Sequence, residues 1–230
     1  MRVRYELVYI KLKQQLHYSI KRSCVLNIAG VDEVGRGPMA GPVVACAVIL
    51  RRSDFTVRID DSKKLTRTNR EKAYKEILDR AYIGIGFVEE DVIDTYNIYR
   101  STIMAMEKAV LSLDIQPDLL IIDGNTRTRL AIPQFTIVKG DQKCLSIACA
   151  SIVAKVLRDR LLVFYDQLFP EYGFAAHKGY GTELHRKMLK ERGPSVIHRR
   201  SFSFNRHCER SEVKQPVPGG DGNLKREIFL

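Results

Sequence analysis

Gly30-Val31-Asp32-Glu33-Val34-Gly35-Arg36-Gly37-Pro38-Met39-Ala40-Gly41-Pro42-Val43 leaves one apolar run, Val25 to Val31, and enters another, Val43 to Leu50. Between the two, Gly35-Arg36-Gly37-Pro38 and Gly41-Pro42 supply turn chemistry, which predicts two buried strands joined as a hairpin. Asp32 and Glu33 are expected just after the first strand. Strict strand alternation sends neighbouring side chains to opposite faces, so one of these acids must leave strand geometry if both are to meet a shared ligand.

Outward from the hairpin, Thr68-x-x-Glu71 has the capping-box pattern ahead of Ala73, Ile77 and Leu78, predicting a basic surface helix. Ile83 to Val88 reads as a third strand. Val92, Tyr96, Tyr99, Ile103, Met106, Val110 and Leu113 then recur at steps of four and three, the stripe of an amphipathic helix of about six turns. Leu119 to Ile122 ends on Asp123-Gly124, and Phe135 to Val138 ends on Lys139-Gly140-Asp141, so two further strands stop at an acid beside a glycine. A long helix over Cys144 to Phe169 is stopped by Pro170, and a short one over Thr182 to Arg192 is closed by Gly193-Pro194. Strands first, then strands alternating with helices, give an α/β fold.

A chain of 230 residues fits one compact domain, expected over 25–206. Residues 1–24 and 207–230 follow the alternating pattern poorly. They are expected to be an N-terminal extension of unassigned role and a disordered tail, the latter from Pro216-Val217-Pro218-Gly219-Gly220-Asp221-Gly222. Both are expected to be dispensable for chemistry. Apolar residues make up 45% without any run of eighteen, which argues for a soluble protein and against a membrane partner. The 38 Lys and Arg against 27 Asp and Glu leave a charge of +11, which favours a polyanionic partner, although a solvated basic surface explains such an excess equally well. Cysteines 24, 46, 144, 149 and 208 are odd in number and lack Cys-x-x-Cys spacing, so neither a disulfide framework nor a zinc site is indicated. A cytoplasmic location follows, since Lys11, Lys13, Gln14 and Gln15 interrupt every apolar run of the N-terminus.

Asp32, Glu33, Asp123 and Asp141 are the acids that stand at strand ends or turns. Parallel strands bring distant strand ends to one edge of a sheet, and carboxylates gathered there repel one another unless cations sit between them. With oxygen donors and no accompanying His or Cys, those cations are expected to be Mg²⁺ or Mn²⁺. Any one acid taken alone reads equally well as a turn residue.

The opening stretch resembles the signature segment of ribonuclease HII. Asp61-Ser62-Lys63-Lys64-Leu65, Ile122-Asp123-Gly124, Lys139-Gly140-Asp141, Ala150-Ser151-Ile152-Val153-Ala154-Lys155 running to Arg158-Asp159, and His177-Lys178-Gly179-Tyr180-Gly181-Thr182 follow in that family's order. The resemblance spans roughly residues 26 to 204, and the segments before and after depart from it. It implies a ribonuclease H-like mixed sheet flanked by helices, with a small helical C-terminal part. It also implies an endonuclease that cuts the RNA strand of RNA/DNA hybrids and cuts at ribonucleotides embedded in duplex DNA, with a place in ribonucleotide removal during replication and repair. Asp32, Glu33, Asp123 and Asp141 match the family's acidic metal-binding set. Two bound metals would activate a water and stabilise the leaving oxygen, giving 5′-phosphate and 3′-hydroxyl ends.

The resemblance further implies that main-chain groups of Gly35, Arg36 and Gly37 contact the 2′-hydroxyl, the one sugar feature separating RNA from DNA. Tyr180 matches a tyrosine that packs on the deoxyribose beyond the ribonucleotide, the alternative being a core tyrosine. Lys63 and Lys178, with Lys64, Arg186, Lys187, Arg199 and Arg200, are candidates for phosphate contacts or else solvated charges. Asp159 rivals Asp141, although an ion pair with Lys155 four residues earlier explains it better. His177, His185 and His198 lack metal-ligand spacing and read as structural or phosphate-contacting. No heptad seam suggests more than a monomer. A different metal nuclease on the same core, or a nucleic-acid-binding module without chemistry, are the competing readings.

Overall fold

A mixed sheet of five strands in the order β3-β2-β1-β4-β5 forms the centre of the computed structural model, which describes residues 26–202. The extension 1–24 and the tail 207–230 lie outside the described residues. The strands are β1 (Ile28–Val34), β2 (Val43–Leu50), β3 (Ala81–Val88), β4 (Leu119–Asp123) and β5 (Gln134–Ile137). β1 pairs antiparallel with β2, β2 antiparallel with β3, and β4 runs parallel to both β1 and β5. The hairpin expected from the Gly-rich stretch is present, with one correction. β1 does not stop at Val31, because its ladder with the buried run of β2 continues through Asp32 opposite Cys46 and Glu33 opposite Ala45 to Val34 opposite Val44.

Helices cover both faces. α1 (Arg67–Arg80) and α3 (Leu145–Leu168) lie on one, where Val44, Cys46 and Val48 of β2 meet Tyr74, Ile77, Ile152 and Val153. α2 (Glu90–Leu111) covers the other, where Ala29, Val31 and Ala45 meet Ile93, Met106 and Val110. α3 lies directly on β1 at Gly30, where a Cβ would stand 2.3 Å from the main-chain carbon of Ser146. Any side chain there would push the helix off the strand.

Two helix details differ from expectation. The N-cap of α1 is Thr66, whose hydroxyl accepts from the Asn69 amide, so Thr68 and Glu71 sit inside the helix. Glu71 pairs instead with Arg160 of α3 at 2.8 Å. α2 is not one smooth stripe. Asn97 has φ 67 and ψ 163, and its side-chain oxygen accepts from the amides of Tyr99 and Arg100, capping a second helical segment in mid-course. The kink turns Tyr96 and Tyr99 to solvent, and the buried face is carried by Ile93, Ile103, Met106 and Val110.

The C-terminal part comprises α4 (Phe174–His177) and α5 (Glu183–Arg192), the latter capped by Thr182. It packs Tyr172, Phe174, Leu189 and Ile197 against Leu161, Leu162 and Tyr165 of α3 and against Met39 and Ala40 of the turn after β1. No described helix is long and apolar enough to cross a membrane.

Candidate active site

One step beyond the last ladder pair of β1 with β4, Val31 beside Ile122, Asp32 and Asp123 emerge on adjacent parallel strands. Equal register in a parallel pair sends both side chains to the same face. Asp32 is buried; one of its oxygens accepts the Glu33 amide at 2.8 Å, and the Ser151 hydroxyl of α3 faces the carboxyl and favours its charged form. Ser151 is in turn 3.0 Å from the Ser62 hydroxyl. Burial raises the Asp32 carboxyl well above the usual range, and the neighbouring Glu33 and Asp123 carboxylates add to the effect.

Glu33 belongs to the opposite pleat phase, yet it lies within electrostatic reach of Asp123 without any break in the strand. Its position one residue from the end of β1 makes this possible. Burial raises its carboxyl too, against the opposing Arg36 guanidinium, 3.3 Å away. Asp123 accepts the Gly140 amide at 2.6 Å, a bond that fastens the end of β4 to the turn Gly140–Gln142 carrying Asp141. The Asp141 carboxyl is raised by partial burial, then by Asp61 and Asp123, with Lys63 opposing. Thus Asp32, Glu33 and Asp123 form a mutually repelling set, and Asp141 stands on its flank beside a fifth acid, Asp61.

Among the described residues, no three His, Cys, Asp or Glu side chains are already closed around a metal-sized position. The donors are all oxygens held on one sheet edge and short of a full cage, which suits a hard cation that keeps waters and takes substrate oxygens as its remaining ligands. The raised carboxyls of Asp32, Glu33 and Asp141 carry the same message, since each would be relieved by a neighbouring positive charge.

The loop from Gly35 to Pro42 beside this edge is held from behind by two arginines. Arg158 of α3 donates to the carbonyls of Pro42, Ala40 and Lys178 at 3.0, 2.9 and 3.0 Å. Arg199 donates to those of Gly35, Arg36 and Gly41 at 2.6, 3.1 and 2.8 Å. Both are wholly buried, which corrects the expectation that Arg199 is a phosphate contact or a solvated charge. Neither forms an ion pair among the described residues, although the charge of Glu90 acts on both. Burial pushes Arg158 down to about 10, and burial followed by the repulsion of Arg158 pushes Arg199 down to about 9. Gly35 has φ +94, and a Cβ there would lie 2.3 Å from Arg158 Nε.

Tyr180 is 44% exposed, so it is no core residue, and a Cβ placed on Gly37 would lie 3.8 Å from its ring. Lys178, by contrast, turns its ammonium onto the Ala175 carbonyl of its own loop, and burial lowers its pKa. It borders a cleft with Arg67, Arg70, Asp159 and Arg160. Lys63 is exposed near Asp141. Asp159 makes the ion pair with Lys155 at 2.6 Å that its spacing implied. Arg200, exposed, offers its main-chain amide to Asp94. His177, His185 and His198 are buried together, as structural residues. Ser151, Ser62, Asp61 and Arg158 were not singled out as site residues from the sequence. All four lie in segments that carried the resemblance, and Ser151 and Arg158 are polar side chains on the mostly apolar buried face of α3, which is the signal that marks them.

The ribonuclease HII family model matches residues 29–205. The ribonuclease HII of Lachnoclostridium phytofermentans is 53% identical over 179 residues, 77% of this chain and 70% of that protein. The crystal structure of ribonuclease H2 from Pyrococcus horikoshii superposes with a TM-score of 0.67 at 25% identity, over 78% of this chain and 95% of that one. The ribonuclease HII of Archaeoglobus fulgidus, solved in complex with PCNA, has a TM-score of 0.66 at 24% identity, over 82% and 98% of the two chains. The family model covers well over half of the chain and the Lachnoclostridium phytofermentans relative is 53% identical over 77% of it, so the chain belongs to the ribonuclease HII family.

Proposed function

We propose that the chain hydrolyses the RNA strand of RNA/DNA hybrids and cuts at ribonucleotides embedded in duplex DNA, using divalent cations held by Asp32, Glu33, Asp123 and Asp141. Family membership makes it an endoribonuclease of the ribonuclease H type; the choice of substrate and the use of metal are this proposal. The observation that carries it is the convergence of Asp32, Glu33 and Asp123 on the end of β1, one turn away from Gly35–Gly37 and the exposed ring of Tyr180.

The four carboxylates would hold the cations, and Mg²⁺ or Mn²⁺ bound there would supply a lowered pKa for an attacking water and charge stabilisation for the leaving 3′ oxygen, giving products with 5′-phosphate and 3′-hydroxyl. Ser151 and the Gly140 amide fix the orientation of Asp32 and Asp123. The turn Gly35-Arg36-Gly37 reads the 2′-hydroxyl at close main-chain approach; Arg199 holds the carbonyls of Gly35 and Arg36 for that task, and Arg158 holds those of Ala40 and Pro42 just after the turn. Tyr180 packs on the sugar that follows. Lys63, Lys178 and the surplus of basic side chains draw in the phosphate backbone.

The test is incubation of the protein, with and without Mg²⁺ or Mn²⁺, with a DNA duplex containing one ribonucleotide, an RNA/DNA hybrid and plain DNA. Metal-dependent cutting of the first two alone is expected. Cutting of plain DNA would favour another nuclease on this core, and binding without cutting would leave only a nucleic-acid-binding module. Asp123→Asn should keep the fold and hybrid binding while slowing cleavage on the order of a hundredfold or more.

A further inference from the structure

Three histidines in the C-terminal part form one hydrogen-bonded unit whose proton positions follow from geometry. His177 and His185 stack with ring centroids 4.2 Å apart, and His198 meets His185 with the two Nε2 atoms 2.9 Å apart. The Ser195 main-chain amide approaches His198 Nδ1 at 2.9 Å and the Ser195 hydroxyl lies 2.8 Å from the same nitrogen; an amide only donates, so Nδ1 accepts, the hydroxyl donates beside it, and the neutral ring carries its proton on Nε2. His198 Nε2–H therefore donates to His185 Nε2. His185 must then carry its own proton on Nδ1, which lies 2.9 Å from the Tyr180 carbonyl and donates to it. By the same logic His177 accepts the Gly179 amide on Nδ1 at 3.1 Å and donates from Nε2 to the Tyr172 carbonyl at 2.8 Å. All six ring nitrogens are engaged, and two of the three rings end on the main chain on either side of the Gly179–Tyr180 peptide.

The far end of this relay is anchored in the same segment that clamps the Gly35–Gly37 turn. The Ile197 carbonyl accepts from the Gly41 amide at 2.9 Å, the Arg199 amide donates to the Met39 carbonyl at 2.9 Å, and the Arg199 side chain holds Gly35, Arg36 and Gly41. Gly179 closes the loop, its carbonyl accepting from the Met39 amide at 2.8 Å. One short segment, Ser195 to Arg199, thus reaches the turn with one residue and the Tyr180 loop with its neighbour.

We propose that the buried Ser195–His198–His185 relay is a positioning device that sets the place of Tyr180 relative to the Gly35–Gly37 turn, making His198 and His185 specificity-determining residues for cutting where a ribonucleotide is followed by a deoxyribonucleotide. It rests on the reading of Tyr180 given above. The relay touches neither the acids nor the scissile phosphate, so its loss alters which substrate is cut well while leaving the chemistry of the acidic edge in place.

The experiment is a double-mutant cycle on the full chain with His198→Leu and Tyr180→Ala, reading kcat/KM on a duplex with one ribonucleotide and on a long RNA/DNA hybrid at one fixed salt concentration. His198→Leu is expected to lower the single-ribonucleotide to hybrid ratio about tenfold, the scale of one lost buried hydrogen bond expressed in positioning. The loss should be borne by KM, and the double variant should show the ratio of Tyr180→Ala alone. His198→Gln, which keeps an N–H for His185, should restore most of the ratio. If His198→Leu does not fold, His198→Asn, polar but too short to span the gap, takes its place in the cycle. A parallel fall of both activities with an unchanged ratio, or additive effects in the double variant, would overturn the proposal. If Tyr180→Ala itself leaves the ratio unchanged, the reading of Tyr180 fails, whatever His198 does.

Discussion

At the scale of single residues, the acidic edge sets function against stability. Asp32 is raised by burial and by Glu33 and Asp123, so its folded pKa lies above its unfolded one. For a carboxyl shifted upward the sign is fixed: its contribution is most favourable below the unfolded pKa and is lost as pH rises through the folded one. At neutral pH without metal the charged group is therefore a cost. Asp32→Asn should raise the metal-free melting temperature, by roughly 2 to 4 °C for each kcal/mol of repulsion relieved, while cleavage collapses. Scanning calorimetry of both proteins in a chelator checks this, and a lower melting temperature for the variant would show that the Ser151 hydroxyl outweighs the repulsion.

The four acids were legible in the sequence because Asp123 and Asp141 each sit beside a glycine just past an apolar run, and Asp32 and Glu33 stand between an apolar run and a Gly-rich turn. Arg199 was not. It lies among Arg200, His198 and Ser201, a context indistinguishable from a solvated basic patch, and only the carbonyls of a turn more than 150 positions away explain its burial.

At the scale of elements, periodicity located every strand and the long helices, and it failed where a single side chain overrode it. The regular steps from Val92 to Leu113 conceal the kink at Asn97, since the Asn side chain replaces two main-chain acceptors and lets the chain start a second helix in a different phase. Asn97→Ala should destabilise by about 1 kcal/mol or more, losing the cap and leaving a positive φ on a residue with a Cβ. Asn97→Gly should be nearly neutral, trading the cap for relief of the backbone. Urea unfolding of the two variants separates these outcomes. The contact of α3 with β1 is less forgiving. Gly30→Val should cost on the order of 1 to 3 kcal/mol and slow cleavage as well, because α3 carries Ser151 to Asp32. An unchanged rate in a folded Gly30→Val protein would show that Ser151 tolerates displacement.

At the scale of the whole molecule, two groups of buried ionisable residues respond to acid in opposite directions. Burial pushes His185 down to about 4 and His198 to about 3, from an ordinary value of 6.5. A histidine whose folded pKa is depressed contributes stability that is present above the unfolded pKa and is lost as pH falls from there towards the folded values. Between about pH 6.5 and 4 the histidines therefore destabilise on acidification, while the carboxyls of the metal-free edge are relieved. Saturating Mg²⁺ should remove the second contribution and steepen the acid loss; His198→Gln should flatten it. Melting temperatures at half-unit pH steps, with and without Mg²⁺, test both signs.

The parallel pairing of β1 with β4 also bears on when the enzyme becomes one. Ile28 lies beside Leu119, 91 positions along the chain, whereas β1 and β2 are neighbours in sequence. Closing so long a loop is entropically expensive and slow relative to forming a hairpin. Asp32 and Glu33 are thus in place on the hairpin early, and Asp123 joins them only when the sheet closes around its central strand. A chain still emerging from the ribosome carries half of its acidic edge without the other half. Recovery of cleavage during refolding should accordingly follow the slowest folding phase and lag behind the first gain of strand signal.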